Sequence, residues 1–66
     1  MAIHKVIEVI AQSDTSWEDA AQAAVKDAAK TVKNIKSILI KNAEGVVQKN
    51  KIVAFRVNAH ITFEVQ

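Results

Sequence analysis

From Val53 to Val65 the chain reads VAFRVNAHITFEV. Val53, Phe55, Val57, Ala59, Ile61, Phe63 and Val65 share one parity, and Ala54, Arg56, Asn58, His60, Thr62 and Glu64 the other. A two-residue period held over this length predicts a strand with one apolar and one mostly polar face. Residues 3–11, IHKVIEVIA, predict a first strand with Ile3, Ile7 and Val9 on one face and Val6 and Ile10 on the other. Apolar side chains on both faces point to a strand covered on both sides, or to a subunit contact. Between them the period changes. In QSDTSWEDAAQAAVKDAAKTVKN, the residues Trp17, Ala21, Ala24, Val25, Ala28 and Val32 form a stripe at helical spacing. Thr15 with Glu18, or Ser16 with Asp19, supplies a capping box. Glu18 and Asp19 fall in the expected first turn and Lys30 and Lys33 in the expected last, both suited to the helix dipole. Residues 35–47, IKSILIKNAEGVV, predict the second strand, bulged or bent between Asn42 and Gly45, the only Gly. Gln48 to Lys51 then forms a hairpin turn into the long final strand.

The order β-α-β-β predicts an α+β fold, a three-stranded antiparallel sheet packed against one long helix. Residues 1–66 read as a single domain, without Pro or a low-complexity linker. Size puts pressure on this arrangement. A compact domain of 66 residues has a radius of gyration of about 11 Å and a diameter near 28 Å. A thirteen-residue strand rises about 43 Å and overhangs such a body. Half of the helical stripe is Ala, which buries little area per residue. Small scaffolds commonly add disulfides, metals or further subunits. The chain has no Cys, and its two His are too few for a closed structural zinc site. Self-association is therefore expected.

Composition narrows the function classes. No apolar run approaches the ~20 residues of a membrane span, and the opening MAIHKVIEVIAQS lacks the apolar block of a secretory signal. The expectation is a soluble, cytoplasmic protein. A net charge of +2 is too small to argue for nucleic acid or membranes. Lys26, Lys30 and Lys33 are spaced to line one helix face, with Lys36 beyond; no aromatic residue interleaves to make a stacking platform.

Catalysis finds little support. Ser13 and Ser16 suit turn and cap positions, and Ser37 a plain strand position. His4 and His60 lie in predicted strands, where adjacent rings and symmetry copies would give a metal site, or each would bond to a neighbour. Trp17, the only Trp, is assigned to core packing rather than ligand stacking. Glu44, Glu64 and Arg56 are ordinary surface groups in a monomer. In a closed oligomer, carboxylates recurring around an axis would coordinate a hard cation such as calcium. Glu44, Glu64 and His60 are the metal candidates.

The element order, with KVIEVI, SDTSWEDAA and VAFRVNAHITFEV, resembles the dodecin family over almost the whole chain. The resemblance implies a β-α-β-β protomer whose sheet partly wraps the helix. It also implies a hollow homododecamer that binds and stores flavins without catalysing a reaction. Typical flavin-binding members carry a Trp at the start of the second strand, whose indole plane sandwiches the flavin ring. Ser37 stands at that position, and a hydroxyl cannot supply the stacking. A flavin-bonding Gln of the third strand corresponds to Arg56, and two Arg of the family correspond to Glu44 and Glu64. These four family-equivalent positions predict weak or absent flavin binding. TSWE followed by AA, with Arg56 at the Gln position, is similar to a divergent subgroup that includes calcium-associated dodecins.

Overall fold

The computed structural model describes residues 2–65. Strand β1 (Ile3–Ser13) leads into helix α1 (Trp17–Ala28), followed by strands β2 (Ile35–Gln48) and β3 (Lys51–Val65). The sheet is antiparallel with spatial order β1-β3-β2. The long alternating strand is thus central, hydrogen-bonded on both sides, while β1 and β2 each present a free edge. β1 pairs with β3 in one unbroken register from Ile3↔Val65 to Ser13↔Phe55.

Parity decides which side chains meet the helix. Val57, Ala59 and Ile61 on the apolar face of β3 are buried, as are Ala20 and Ala24 of α1. Ala side chains let helix and sheet approach closely. The stripe read from the sequence omitted Ala20, which is fully buried, and included Trp17, which is 38% exposed. Trp17 holds the helix start down in another way: its ring meets that of Phe55 edge-on at 4.8 Å, and its indole Nε1 donates to the Glu44 carbonyl at 3.0 Å.

The helix begins as the capping pattern predicts and ends early. Ser16 is the N-cap in extended backbone, and its side chain accepts from the Asp19 N–H. The Asp19 carboxylate does not return to the cap. It accepts from the Ser13 hydroxyl at 2.7 Å, while Ser13 Oγ accepts from the Thr15 N–H at 2.9 Å. At the other end, regular helix stops at Ala28 and gives way to tighter turns, with Lys30 N–H donating to Asp27 O and Thr31 N–H to Ala28 O. Asn34 at φ 62° redirects the chain into β2, and its carbonyl accepts from the Glu64 N–H at 3.0 Å. Lys30 and Lys33 therefore lie beyond the last helical turn, and the expected lysine row on one helix face does not form. Lys30 meets Asp27 at 3.4 Å, and Lys36 reaches Glu64 at 3.8 Å.

The β2–β3 turn is tighter than the four-residue stretch read from sequence. Gln48 and Lys51 still pair, so Lys49 and Asn50 make the whole loop, both with positive φ (53° and 64°). Two successive left-handed residues between antiparallel strands form a type I′ turn, whose twist matches that of the sheet. β2 is irregular, yet not at Gly45, which pairs in register with Phe55 at negative φ. The register shifts lie between Ile35 and Ser37, Ile40 and Asn42, and Val46 and Val47.

A 12-residue helix is about 18 Å long and a 15-residue strand about 50 Å. The helix covers little more than a third of the sheet's length. The body measures 51 × 20 × 13 Å with a radius of gyration of 13.5 Å, against about 11 Å for a compact chain of this size. Val47, Ile52 and Val53 are exposed near the hairpin end, and Ile3 and Val65 at the other.

Candidate functional site

The face of the sheet turned away from the helix carries every residue singled out above for binding. Registers fix its rows. Gln12 of β1 pairs with Arg56 of β3, which pairs with Glu44 of β2; Ile10, Asn58 and Asn42 form the next row, then Glu8, His60 and Leu39, then Val6, Thr62 and Ser37. His4 and Glu64 close the series. The middle strand supplies a polar line, and its flanks are greasy: Val6 and Leu39 are exposed, and Ile10 is 69% exposed.

Arg56 is held by neighbours on both sides and keeps two of its five N–H donors free. Its Nε and Nη2 donate to Gln12 Oε1 at 3.2 and 3.1 Å, and its Nη1 donates to Glu44 Oε1 at 3.2 Å. The guanidinium is planar and rigid, so a brace on two sides fixes its plane along the row. The Arg56–Glu44 ion pair joins half-exposed groups, a setting in which such pairs contribute about 0–1 kcal/mol. Its effect here is chiefly to hold geometry and balance charge. Below it, Asn58 Oδ1 is enclosed and has no hydrogen-bond partner among the described residues. A cavity of about 180 Å³ opens at this point, lined by Ile10, Asn42, Glu44, Arg56 and Asn58.

The other candidates form separate groups. His60 Nε2 lies 3.6 Å from Glu8 Oε2, a contact that is ionic when the imidazole carries a proton. His4 is paired with Glu64 and not with His60, so the two rings do not face each other across the strands. Ser37 sits opposite Thr62, next to the Glu64 end of the face. Arg56 and Glu64 are eight residues apart on one strand, about 26 Å. One chain therefore brings together Glu44 with Arg56, and Ser37 with the Glu64 end, but does not join the two groups. Glu44, His60 and Glu64 likewise stand in three different rows. Among the described residues no three His, Asp or Glu gather as a cation site. Reading the sequence alone missed Gln12, Glu8 and Asn58, because their roles depend on which strand lies beside β3 and in what register.

A three-stranded antiparallel sheet carrying one helix, in the order β-α-β-β, with a polar line down its open face, defines a small α+β sheet fold. The chain belongs to the dodecin family, whose sequence profile matches residues 3–66. It is 30% identical over 66 residues to the calcium dodecin of Mycobacterium tuberculosis, covering 100% of this chain and 93% of that one. The solved structure of that protein, described as calcium-chelating with a novel calcium-binding site, superposes with a TM-score of 0.84 over 97% of this chain and 91% of its own. An arginine-to-alanine variant of the Thermus thermophilus dodecin superposes with a TM-score of 0.93 at 23% identity, covering 100% and 98% of the two chains. The dodecin of Streptomyces coelicolor gives 0.93 at 18% identity, over 98% and 93%. At these lower identities the likeness is one of fold. Among the described residues no helix is long and apolar enough to cross a membrane.

Proposed function

We propose that this chain is a non-catalytic, small-ligand-binding and storage protein of the dodecin type. Residues 1–66 act as a single domain in the cytoplasm and assemble as a hollow homododecamer. The helix-free face carries this reading: a polar line flanked by exposed Val6, Ile10 and Leu39 is a surface built to be covered. The overhanging ends of the sheet argue for neighbouring copies in the same way. Flavin is a poor occupant of this face. Ser37 offers no ring to stack on, and Arg56, the one cation at the four family-equivalent positions, is already braced by Gln12 and Glu44. Glu44 and Glu64 set negative charge against a ligand's phosphate. Titration of riboflavin or FMN with the protein is expected to leave flavin fluorescence unchanged; strong quenching overturns this reading of Ser37.

A second reading is a shell that binds calcium or a related hard cation. It is favoured by the 30% identity to a calcium dodecin. Glu44 and Glu64 lie too far apart in one chain to share an ion, so such a site is completed by symmetry copies. Calorimetry with calcium is expected to give a saturable heat that falls severalfold in Glu64→Gln. A flat titration of the parent protein rules the cation shell out and leaves the first reading standing.

A further inference from the structure

The two edges of the sheet differ in kind. β2 breaks its register with β3 three times and carries Lys36 and Lys41, irregularities and charges of the sort that keep an edge from pairing. β1 runs through its 11 residues without a break, without Gly or Pro, and with Lys5 as its only lysine. Among the described residues nothing pairs with its outer backbone groups. Val6 and Ile10 stand exposed along it on the helix-free face. On the other face a groove of about 450 Å³ lies between β1 and the helix, with Ile7, Val9, Ala23, Asp27 and Thr31 in its walls. Side chains of an added strand have room there.

The sequence of β1 decides which strand fits. Two copies of one strand pair antiparallel about a twofold axis. Opposed residues share a face of the sheet, so the axis passes through a residue. An axis at Lys5 sets two ammonium groups opposite each other, and one at Glu8 sets two carboxylates. An axis at Ile7 sets Glu8 against the partner's Val6 and His4 against the partner's Ile10. Only the axis at Val6 matches charge with charge and apolar with apolar on the helix-free face. Glu8 then meets the partner's His4, and Val6 meets the partner's Val6. Within one chain Glu8 pairs with His60, at 3.6 Å, and His4 with Glu64. The joined row therefore reads His60, Glu8, the partner's His4, the partner's Glu64, imidazole and carboxylate by turns. On the helix side the same register brings the partner's Lys5 opposite Ile7, which shares the groove with the Asp27 carboxylate.

We propose that the β1 edge takes the β1 edge of a second copy, antiparallel about Val6, so that two three-stranded sheets become one and the partner's His4 completes the charged row at Glu8. This assignment rests on the self-association reading and names the surface and register of one contact. The chain has no Cys, so the test uses single cysteines in the full-length protein, oxidised with glutathione disulfide and separated on a non-reducing gel. A disulfide needs Cα atoms about 4.4–6.8 Å apart, which opposed residues of antiparallel strands satisfy. Val6→Cys, at an exposed position, is expected to link to itself at twice the 7.2 kDa of the chain. It is expected to do so at least about tenfold faster than Ile7→Cys or Glu8→Cys, whose copies lie beyond disulfide reach in this register. Co-expressed His4→Cys and Glu8→Cys are expected to link to each other, and neither to itself. Faster linking of Ile7→Cys or Glu8→Cys overturns the register. If Val6→Cys stays unlinked while light scattering gives an assembly, another surface of the second copy covers this edge; the proposal falls and the self-association reading stands. If Val6→Cys stays unlinked and light scattering gives a single chain, both fall.

Discussion

Ser13 ends the first strand with a buried hydroxyl that serves three partners at once. It donates to Asp19 Oδ2 and accepts from the N–H groups of Thr15 and, more weakly at 3.4 Å, Ser16. A helix N-terminus leaves several N–H groups without intrahelical partners, and Ser16 as N-cap satisfies only one. Ser13 organises the turn one step earlier, so that the cap arrives in extended backbone. Ser13→Ala removes the acceptor of the Thr15 N–H and the donor to the exposed Asp19 carboxylate. A loss of about 0.5–1.5 kcal/mol follows, checked by urea unfolding of the variant; unchanged stability would show the turn to be held by other contacts. The same scale explains what the sequence could and could not convey about the site. Arg56 and Glu64 were legible as positions because the alternation assigns them a strand and a face, whereas Ser37 and Glu44 came from the resemblance to the dodecin family. Their partners were not. Gln12 reaches Arg56 and Glu8 reaches His60 only because β1 lies beside β3 in the Ile3↔Val65 register. Nothing in the local pattern of IHKVIEVIA specifies that register.

At the level of elements, β3 declares itself because a central strand covered by a helix on one face needs strict alternation. The helix start was legible from Ser16 and its acidic first turn. Its end was not, since AAKTVK continues a helical composition past the point where the chain leaves the helix. Tertiary demand decides it: Asn34 must bring β2 alongside β3, and its carbonyl is tied to Glu64. Gly45 misled for a related reason, because Gly in a strand signals a bulge only when the backbone requires one. Here the absent Cβ instead leaves room for Ile52, whose Cγ2 lies 3.3 Å from where that atom would be. The two-residue hairpin is the most improvable element. Lys49 holds a left-handed conformation that costs a side chain with Cβ about 1–2 kcal/mol, whereas Asn-Gly suits a type I′ turn. The double substitution Lys49→Asn with Asn50→Gly is expected to stabilise the fold by about 1 kcal/mol. A raised melting temperature in calorimetry checks it, and a lowered one would mean that the loop's present side chains make contacts of their own.

For the whole molecule the governing fact is the mismatch between a short helix and a long sheet. A protomer 51 Å long and 13 Å thick leaves apolar side chains uncovered at both ends, and two edge strands with unpaired backbone. In the proposed assembly such a body would gain stability from copies of itself, which would make its stability a function of concentration. Light scattering is expected to give a mass roughly twelve times the 7.2 kDa of the chain. The melting temperature is expected to rise as the protein is concentrated through the range in which the shell dissociates. A stable 7 kDa species melting at one temperature regardless of concentration would remove the assembly and the storage role with it. The indole clamped between Phe55 and the Glu44 carbonyl then acquires a practical meaning. Trp17 is the only strong ultraviolet emitter in the chain, and it stands at the junction of helix and sheet with 38% of its surface open. Its emission colour reports how dry that junction is, so the protein carries a built-in optical gauge, readable without any added label.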